Sequence, residues 1–196
     1  MSQELPVDPV NIDVAELVER SVASLHSYLV TRPTGQAVRL AIEGQFPTGG
    51  RVALSVVDLS RVVVLDFSCA DEVVAKLILR YLPELRPREA YFLFRGVTEV
   101  HLDPVEAVLE RHRLAAVVQH VEGAFGLVGI RTPDEERVWE RVEQVGLIPS
   151  HQVDHHLDVP SDREVLERLV QRRLLLRNPD GGIHALSRLA RGILPG

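Results

Sequence analysis

The sequence is poor in cysteine, lysine and aromatic residues, and it lacks a long apolar run. Its single cysteine, Cys69, cannot form an internal disulfide, so the fold must depend on packing alone. No apolar stretch reaches the roughly 18 residues that a membrane span requires. The opening segment MSQELPVDPV has neither the basic nor the apolar part of a secretory signal. We therefore expect a cytoplasmic protein with no membrane partner.

Acidic residues outnumber basic ones. The 196 residues include 28 aspartates and glutamates against 22 lysines and arginines, which gives a formal net charge of -6. Nucleic-acid binding by overall charge is therefore disfavoured, although a local basic face remains possible. The hydrophobic fraction of 45% is enough for one large domain or two small ones, and we favour two.

Two amphipathic helices are expected near the N-terminus. Asp13 is placed to cap the first, and Thr34 begins the second after a break at Arg32-Pro33. We therefore assign residues 1–30 to an N-terminal helical extension.

Strand and helix patterns alternate in the segment that follows. Buried strands are predicted at Val52–Leu59, Val62–Phe67 and Ala90–Phe94, and a hairpin at the domain edge from Ala115–Val121 and Phe125–Ile130. Helices are predicted over Cys69–Leu82 and from Asp103, as N-cap before Pro104, to about His112. This alternation predicts an α/β domain over residues 31–131.

A domain boundary is expected at Thr132-Pro133. The helix that follows carries Trp139, which should be buried, and ends at Gly146. The remaining elements are predicted as a short helix from Ser150 to Leu157, a helix from Ser161 with Glu164 as its capping-box partner, and a hairpin from Leu174–Arg177 and Ile183–Leu186. Three helices and a β-ribbon predict a winged helix-turn-helix domain over residues 132–196, with a core separate from the first domain.

One stretch resembles a known family. The run Val56-Val57-Asp58-Leu59-Ser60-Arg61-Val62, followed by Leu65-Asp66-Phe67-Ser68, is similar to the signature of STAS domains, and Ser68-Cys69-Ala70-Asp71-Glu72 to that of a STAS-like subfamily. The similarity covers roughly residues 31–121. The sequence departs from the family pattern at Arg61, Phe67 and Cys69.

The resemblance implies a small domain that works by partner switching, as anti-sigma-factor antagonists do. It implies a protein partner, such as a histidine-kinase-like ATPase or an anti-sigma factor. Carried over by position, it makes Ser68 the candidate phosphoacceptor or docking residue, with Asp58 and Asp66 as strand-end acids. A hydroxyl at a helix start is well placed for a phosphate, but serine is also a common N-cap, so Ser68 has both interpretations.

The second domain offers candidate DNA contacts. These are the arginines of its third helix and β-ribbon, namely Arg163, Arg168, Arg172, Arg173 and Arg177. Acidic residues share the same helix, so the face could equally be a solvated surface with internal ion pairs. The chain is therefore either a transcription regulator that binds duplex DNA or a purely protein-binding switch, in which the winged helix serves interaction or dimerisation. The sequence does not indicate an oligomeric state.

Enzyme chemistry and metal binding are not predicted. His151 and His155 share a helical face near acidic residues, but Gln152 occupies the place of a metallohydrolase's glutamate. A Cys69 or Ser68 nucleophile lacks a recognisable histidine motif around it. No phosphate-binding glycine motif is present, so we expect no cofactor.

Overall fold

A mostly parallel five-stranded sheet forms the centre of the protein. The computed structural model describes residues 7–21, 28–46, 52–83, 87–191 and 193. In spatial order the sheet consists of β1 (Val7–Asp13), β3 (Val52–Asp58), β5 (Ala90–Val97), β6 (Ala115–His120) and β7 (Phe125–Gly129). The first four run parallel and β7 is antiparallel to β6, so the expected α/β class is confirmed.

The helices of the first 131 residues all cover one face of this sheet. They are α1 (Val14–Ser21), α2 (Arg32–Gly44), a helix in three segments and α5 (Glu99–Arg111). The segmented helix consists of α3 (Phe67–Ala70), a π-helical turn (Asp71–Lys76) and α4 (Leu77–Arg80). Because the parallel strands lie in chain order, right-handed crossovers place every helix on the same side. The shared core contains Ala53 and Val57 of β3 together with apolar residues of these helices.

The C-terminal segment covers the opposite face. It consists of α6 (Pro133–Val145), β8 (Leu147–Ile148), a 3-10 helix (Ser150–His156), α7 (Asp162–Gln171), β9 (Leu175–Arg177), β10 (Ile183–Ala185) and α8 (Leu186–Ala190). Its strands form an antiparallel sheet of order β8-β10-β9. Leu54 and Val56, which alternate with the residues of the first core, pack in one cluster with Trp139 and Leu169. The expectation of a separate C-terminal core is therefore wrong, while the boundary at Thr132 stays a prediction.

The N-terminal segment differs from the expected helical extension. Val7–Asp13 form β1, which pairs in parallel with β3 along its whole length. Asp13 does cap α1, as predicted, because its carboxylate accepts a hydrogen bond from the Glu16 N–H at 3.1 Å. The second helix begins at Arg32 instead of Thr34, since Thr31 is its N-cap and Pro33 fits the first turn.

Two elements of the first domain also depart from expectation. Only Val64–Leu65 of the run Val62–Phe67 is a strand, β4, and it pairs with β2 (Tyr28–Leu29) outside the central sheet. Helix α5 begins at Glu99 after Thr98, so Asp103 is not its N-cap and Pro104 lies inside it. The proline removes one backbone hydrogen bond there without ending the helix.

The two predicted hairpins and helix α6 match the sequence patterns, whereas the start of α7 does not. The β6–β7 hairpin lies at the sheet edge, and the β9–β10 hairpin turns at Asn178, whose side chain accepts a hydrogen bond from the Gly182 N–H. Helix α6 ends at Gly146, which has φ +80°, and Trp139 is buried. Ser161 precedes α7 without capping it by its side chain, so the expected capping box with Glu164 is absent. None of the described helices is long and apolar enough to cross a membrane.

Candidate functional site

Asp66, and not Ser68, caps the start of α3. The Asp66 carboxylate accepts a hydrogen bond from the Cys69 backbone N–H at 2.8 Å. The Ser68 hydroxyl donates to the same carboxylate at 2.9 Å. The interpretation of Ser68 as a helix cap is therefore wrong. Ser68 is the second residue of the helix, half-buried, with Phe67 between it and the capping acid.

Asp58 lies at the end of β3 and serves another purpose. Its carboxylate accepts hydrogen bonds from the Ser60 backbone N–H at 2.9 Å and from Arg95 at 3.0 Å. It therefore fixes the turn after β3 and joins it to β5. The structure thus brings Asp66 and Ser68 together, whereas the described hydrogen bonds of Asp58 go to other residues.

Large apolar side chains are exposed beside Ser68. We call this set the apolar surface, and it consists of Tyr28, Val30, Val63, Val64 and Phe67. Phe67 is 59% exposed and Val63 54% exposed. Tyr28 lies opposite Val64 in the β2–β4 pair, and the Asp66 N–H donates to the Leu29 carbonyl, so this pair leads directly into α3. Exposed apolar groups concentrated in one place commonly mark interaction sites.

A buried ionic cluster supports the helix behind this surface. Asp71 and Glu72, in the π-helical turn, are 5% and 4% exposed. Asp71 contacts Arg32 at 2.8 Å and His112 Nε2 at 2.7 Å. Glu72 contacts Arg32 at 3.1 Å and Arg39 at 3.3 Å, and it also pairs with Lys76. The cluster therefore ties α2 and the end of α5 to the segmented helix.

The electrostatics of this cluster favour a structural role. Burial alone would raise the pKa of Asp71, but hydrogen bonds from Arg32, His112 and Lys76 outweigh it and lower the pKa to about 2. Burial acts against the charged form of Glu72 as well, and Lys76 and Arg39 lower its pKa overall. Both carboxylates are thus ionised and fully engaged. Both carboxylates lie in the π-helical turn Asp71–Lys76, and such turns are uncommon and often lie near functional sites.

The Cys69 thiol is poorly suited to nucleophilic chemistry. Burial is the main reason that its pKa is raised to about 11. The thiol donates a hydrogen bond to the Thr31 carbonyl, with the sulfur 3.0 Å from the oxygen. Since the thiolate is the reactive form, Cys69 is protonated and unreactive at neutral pH.

The described histidines of the first 131 residues lie in three different environments. His101 is fully buried, which lowers its pKa, and its Nδ1 accepts a hydrogen bond from the Thr98 N–H at 3.3 Å. His112 belongs to the ionic cluster. His120 lies at the end of β6.

The C-terminal arginines are engaged with carboxylates. Arg163 pairs with Asp154 and is 59% exposed, and Arg168 lies 3.8 Å from Glu135 while 48% exposed. Arg177 pairs with Glu167 at 2.6 Å. All three candidates are therefore exposed, although each lies beside a carboxylate.

Arg172 and Arg173 point toward the body of the protein. Arg172 contacts Glu135 at 2.8 Å. Arg173 is 9% exposed, donates to Glu89 and to the Tyr91 hydroxyl at 2.6 Å each, and its guanidinium lies 4.8 Å from the Tyr91 ring centroid. In this arrangement Arg173 joins the C-terminal segment to β5, so its side chain is not available to an external ligand.

The acidic residues of the histidine-rich stretch 151–158 pair with arginines. Asp154 pairs with Arg163, and Asp158 with Arg137 and Arg141. Among the described residues, no group of three or more histidine, cysteine or acidic side chains is arranged to hold a metal ion.

Sequence reasoning missed the apolar surface. The run from Val62 to Phe67 has the composition of a buried strand, but among the described residues β4 pairs with β2 alone, and Val63 and Val64 are exposed. The available signal was the phenylalanine between an acid and a serine at a helix start, where a capping segment is normally polar.

Comparisons with protein-family models, with curated proteins and with solved structures found no match for this chain. The similarity of residues 56–72 to STAS domains therefore stays an interpretation of the sequence.

Proposed function

We propose that this chain is a non-enzymatic regulatory protein that binds a protein partner through the apolar surface. The observation that carries the proposal is the position of that surface, with five large apolar side chains exposed around the start of α3. The STAS-like sequence places the docking residue of that family at Ser68, which is next to Phe67. A histidine-kinase-like ATPase or an anti-sigma factor is the partner class that this resemblance suggests.

Ser68 is the position at which modification would change binding. A phosphate there adds about 1.5 to 2 negative charges. The Ser68 oxygen lies 2.9 Å from the Asp66 carboxylate, so the added charge would oppose the acid that caps α3. Phe67 lies between these two residues, and a change at the cap would therefore alter how Phe67 is presented to a partner.

A capture experiment with matched variants tests this docking role. Phe67→Ser removes the most exposed aromatic side chain of the surface, while Leu40→Ser removes a 53% exposed leucine on α2 as the control. We expect a partner that is recovered by the wild type and by Leu40→Ser to be depleted at least about tenfold by Phe67→Ser, the equivalent of about 1.4 kcal/mol. Equal recovery by both variants would exclude the apolar surface as the docking site.

DNA binding by the C-terminal segment is the second candidate. Its order of helix, strand, two helices and two strands, with the sheet order β8-β10-β9, resembles the order of elements in a winged helix and supports this candidate. Exposed Arg163 and Arg168 on α7 would contact phosphates after exchanging their carboxylate partners. Breaking each arginine–carboxylate pair costs free energy that DNA binding must offset. DNA binding therefore has weaker support than protein docking.

Salt dependence separates the two functions. Binding of a random duplex through several phosphates must weaken steeply as salt rises, and Arg163→Gln with Arg168→Gln should flatten that slope by up to about two charges. Arg20→Gln on α1, which is 70% exposed, is the matched control. Absent or salt-independent binding would leave the purely protein-binding switch.

A further inference from the structure

A cleft of about 420 Å³ opens where β3, β5 and β6 end. Its lining includes Ser60 after β3, Arg95 and Thr98 at the end of β5, and Gln119 and His120 at the end of β6. The turn to β7 closes one side with Glu122. The carboxyl ends of three parallel strands meet at this edge of the sheet, so their terminal side chains converge on the cleft. Its volume is within the range of small-molecule sites.

The floor of the cleft is held by an irregularity in β5. The pairing of β5 with β6 shifts between Arg95 and Val97, and Gly96 has φ +68°. A Cβ atom on Gly96 would lie 2.6 Å from the backbone of Ser60, so only glycine allows β3 and β5 to approach this closely. Bulges of this kind are frequent next to binding sites, where they redirect side chains.

The polar groups of the cleft are incompletely satisfied within the protein. Gln119 Oε1 is buried and has no hydrogen-bond partner among the described residues, whereas Thr98 Oγ1 faces the His101 backbone N–H in the capping box of α5. A buried polar atom left without a partner costs about 1–3 kcal/mol, which a bound molecule could recover. Arg95 is held by Asp58 through Nη1 at 3.0 Å, and a guanidinium has further N–H donors.

We propose that this cleft binds a small metabolite that carries both an oxyanion and a hydrogen-bond-donating amine or hydroxyl. The Arg95 guanidinium suits a carboxylate or phosphate. Gln119 Oε1 and the Glu122 carboxylate suit the donor end of the same molecule. Opposite charges within one cleft favour a dipolar or hydroxylated acid over a simple anion. This site is independent of the proposed protein-docking function.

Backbone-amide chemical shifts provide the test on the intact chain. The probes are L-serine and glycerol 3-phosphate, which carry both groups, against acetate, inorganic phosphate and ethanolamine, which carry one. We expect at least one two-group probe to shift the amides of Gly96, Gln119 and Gly123 saturably at millimolar concentration, and the single-group probes to bind at least about tenfold more weakly. No saturable shift with either two-group probe, or equal affinity for a single-group probe, would overturn the proposal.

Variants of the donor end give a second test. Gln119→Leu removes the unpartnered acceptor, and Glu122→Gln, on an exposed turn, removes the charge without a risk to folding. Each should weaken the two-group probe several-fold, while Glu110→Gln on the exposed side of α5 should leave its affinity unchanged. If both single variants bind the two-group probe with unchanged affinity, the assignment is contradicted. If Gln119→Leu fails to fold, the affinity of Glu122→Gln alone decides.

Discussion

Asp66, Phe67 and Ser68 are three consecutive residues with three different environments. Asp66 caps the helix, Phe67 is exposed to solvent, and Ser68 is half-buried against the Asp66 carboxylate. Serine therefore acts here as a donor to an acid and not as an acceptor for the helix N–H groups. This difference changes what substitutions at position 68 should do.

Ser68→Asp should destabilise the fold more than Ser68→Ala. The alanine variant loses one hydrogen bond, worth about 0.5–1.5 kcal/mol. The aspartate variant also sets two carboxylates against each other, which costs a further ~1 to 4 kcal/mol for unit charges about 4 Å apart, from water-like to protein-surface screening. Urea unfolding of both variants measures the difference. Ser68→Asn is the uncharged control of the same shape, and coincident Asp and Asn curves would contradict the repulsion.

Asp162 should contribute stability that is lost in acid. Arg137 contacts both oxygens of its carboxylate, at 2.9 and 2.6 Å, and hydrogen bonds from Arg137 are the main cause that lowers the Asp162 pKa from 3.8 to about 2. Because the folded-state pKa is depressed, this stabilisation is fully present above about pH 4 and disappears as the pH falls toward 2. Melting temperatures of the wild type and Asp162→Asn should therefore differ at pH 6 and converge near pH 2. A constant difference across this range would contradict the assignment.

Helix α2 contains two glycines, Gly35 and Gly44, that differ in how closely neighbouring elements pack against them. Gly35 lies where α2 crosses α3, and a Cβ atom there would lie 2.9 Å from the Cα of Cys69. Gly44, at the end of the same helix, has no described residue within 4 Å of the equivalent position. The two glycines therefore differ in packing while they share one helix.

Gly35→Ala should destabilise the protein although alanine favours helices. The helix preference of about 1 kcal/mol is outweighed because the backbone of α3 must move to admit the methyl group. Gly44→Ala should be neutral or slightly stabilising, as no contact opposes it. The melting temperatures of the two variants test this prediction. If Gly35→Ala is as stable as Gly44→Ala, α2 and α3 are not closely packed where they cross.

Local signals predicted some elements well and others poorly. The β6–β7 hairpin and α6 follow from turn and capping residues, which act within a few positions. Strand β1 contains Asp8 and Pro9, which disfavour strands, and it exists because β3 pairs with it. The edge position of β1 tolerates the proline. Pro104 marks no boundary because packing of α5 on the sheet overrides it. Ser68 was located by sequence, but its partner Asp66 and the exposure of Phe67 depend on the tertiary structure.

At the scale of the whole molecule, the sheet is shared between two layers. One face packs against the helices of the first 131 residues and the other against the C-terminal segment. The second cluster combines Leu54, Tyr91 and Leu93 of the sheet with Trp139, Leu166 and Leu169. Interfaces with this much buried apolar surface do not separate readily.

The protein should therefore unfold as one cooperative unit. Trp139 is the single tryptophan and lies in the C-terminal segment, so its fluorescence reports that segment, while far-UV circular dichroism reports the whole chain. Both denaturation curves should have the same midpoint and the same slope. A fluorescence transition at clearly lower denaturant would show that the C-terminal segment unfolds on its own.

The C-terminal segment, which is made last, covers one whole face of the sheet, and this has a consequence for biosynthesis. Strands β1 to β7 leave the ribosome before α6 to α8, so the face with Leu54, Val56 and Leu93 is complete but uncovered while roughly 60 further residues are made. At about 5–20 residues per second this interval lasts on the order of 3–12 seconds. During this time the nascent chain presents an apolar sheet to its surroundings. Synthesis of the final segment, rather than formation of the sheet, then sets when the newly made protein is safe from aggregation.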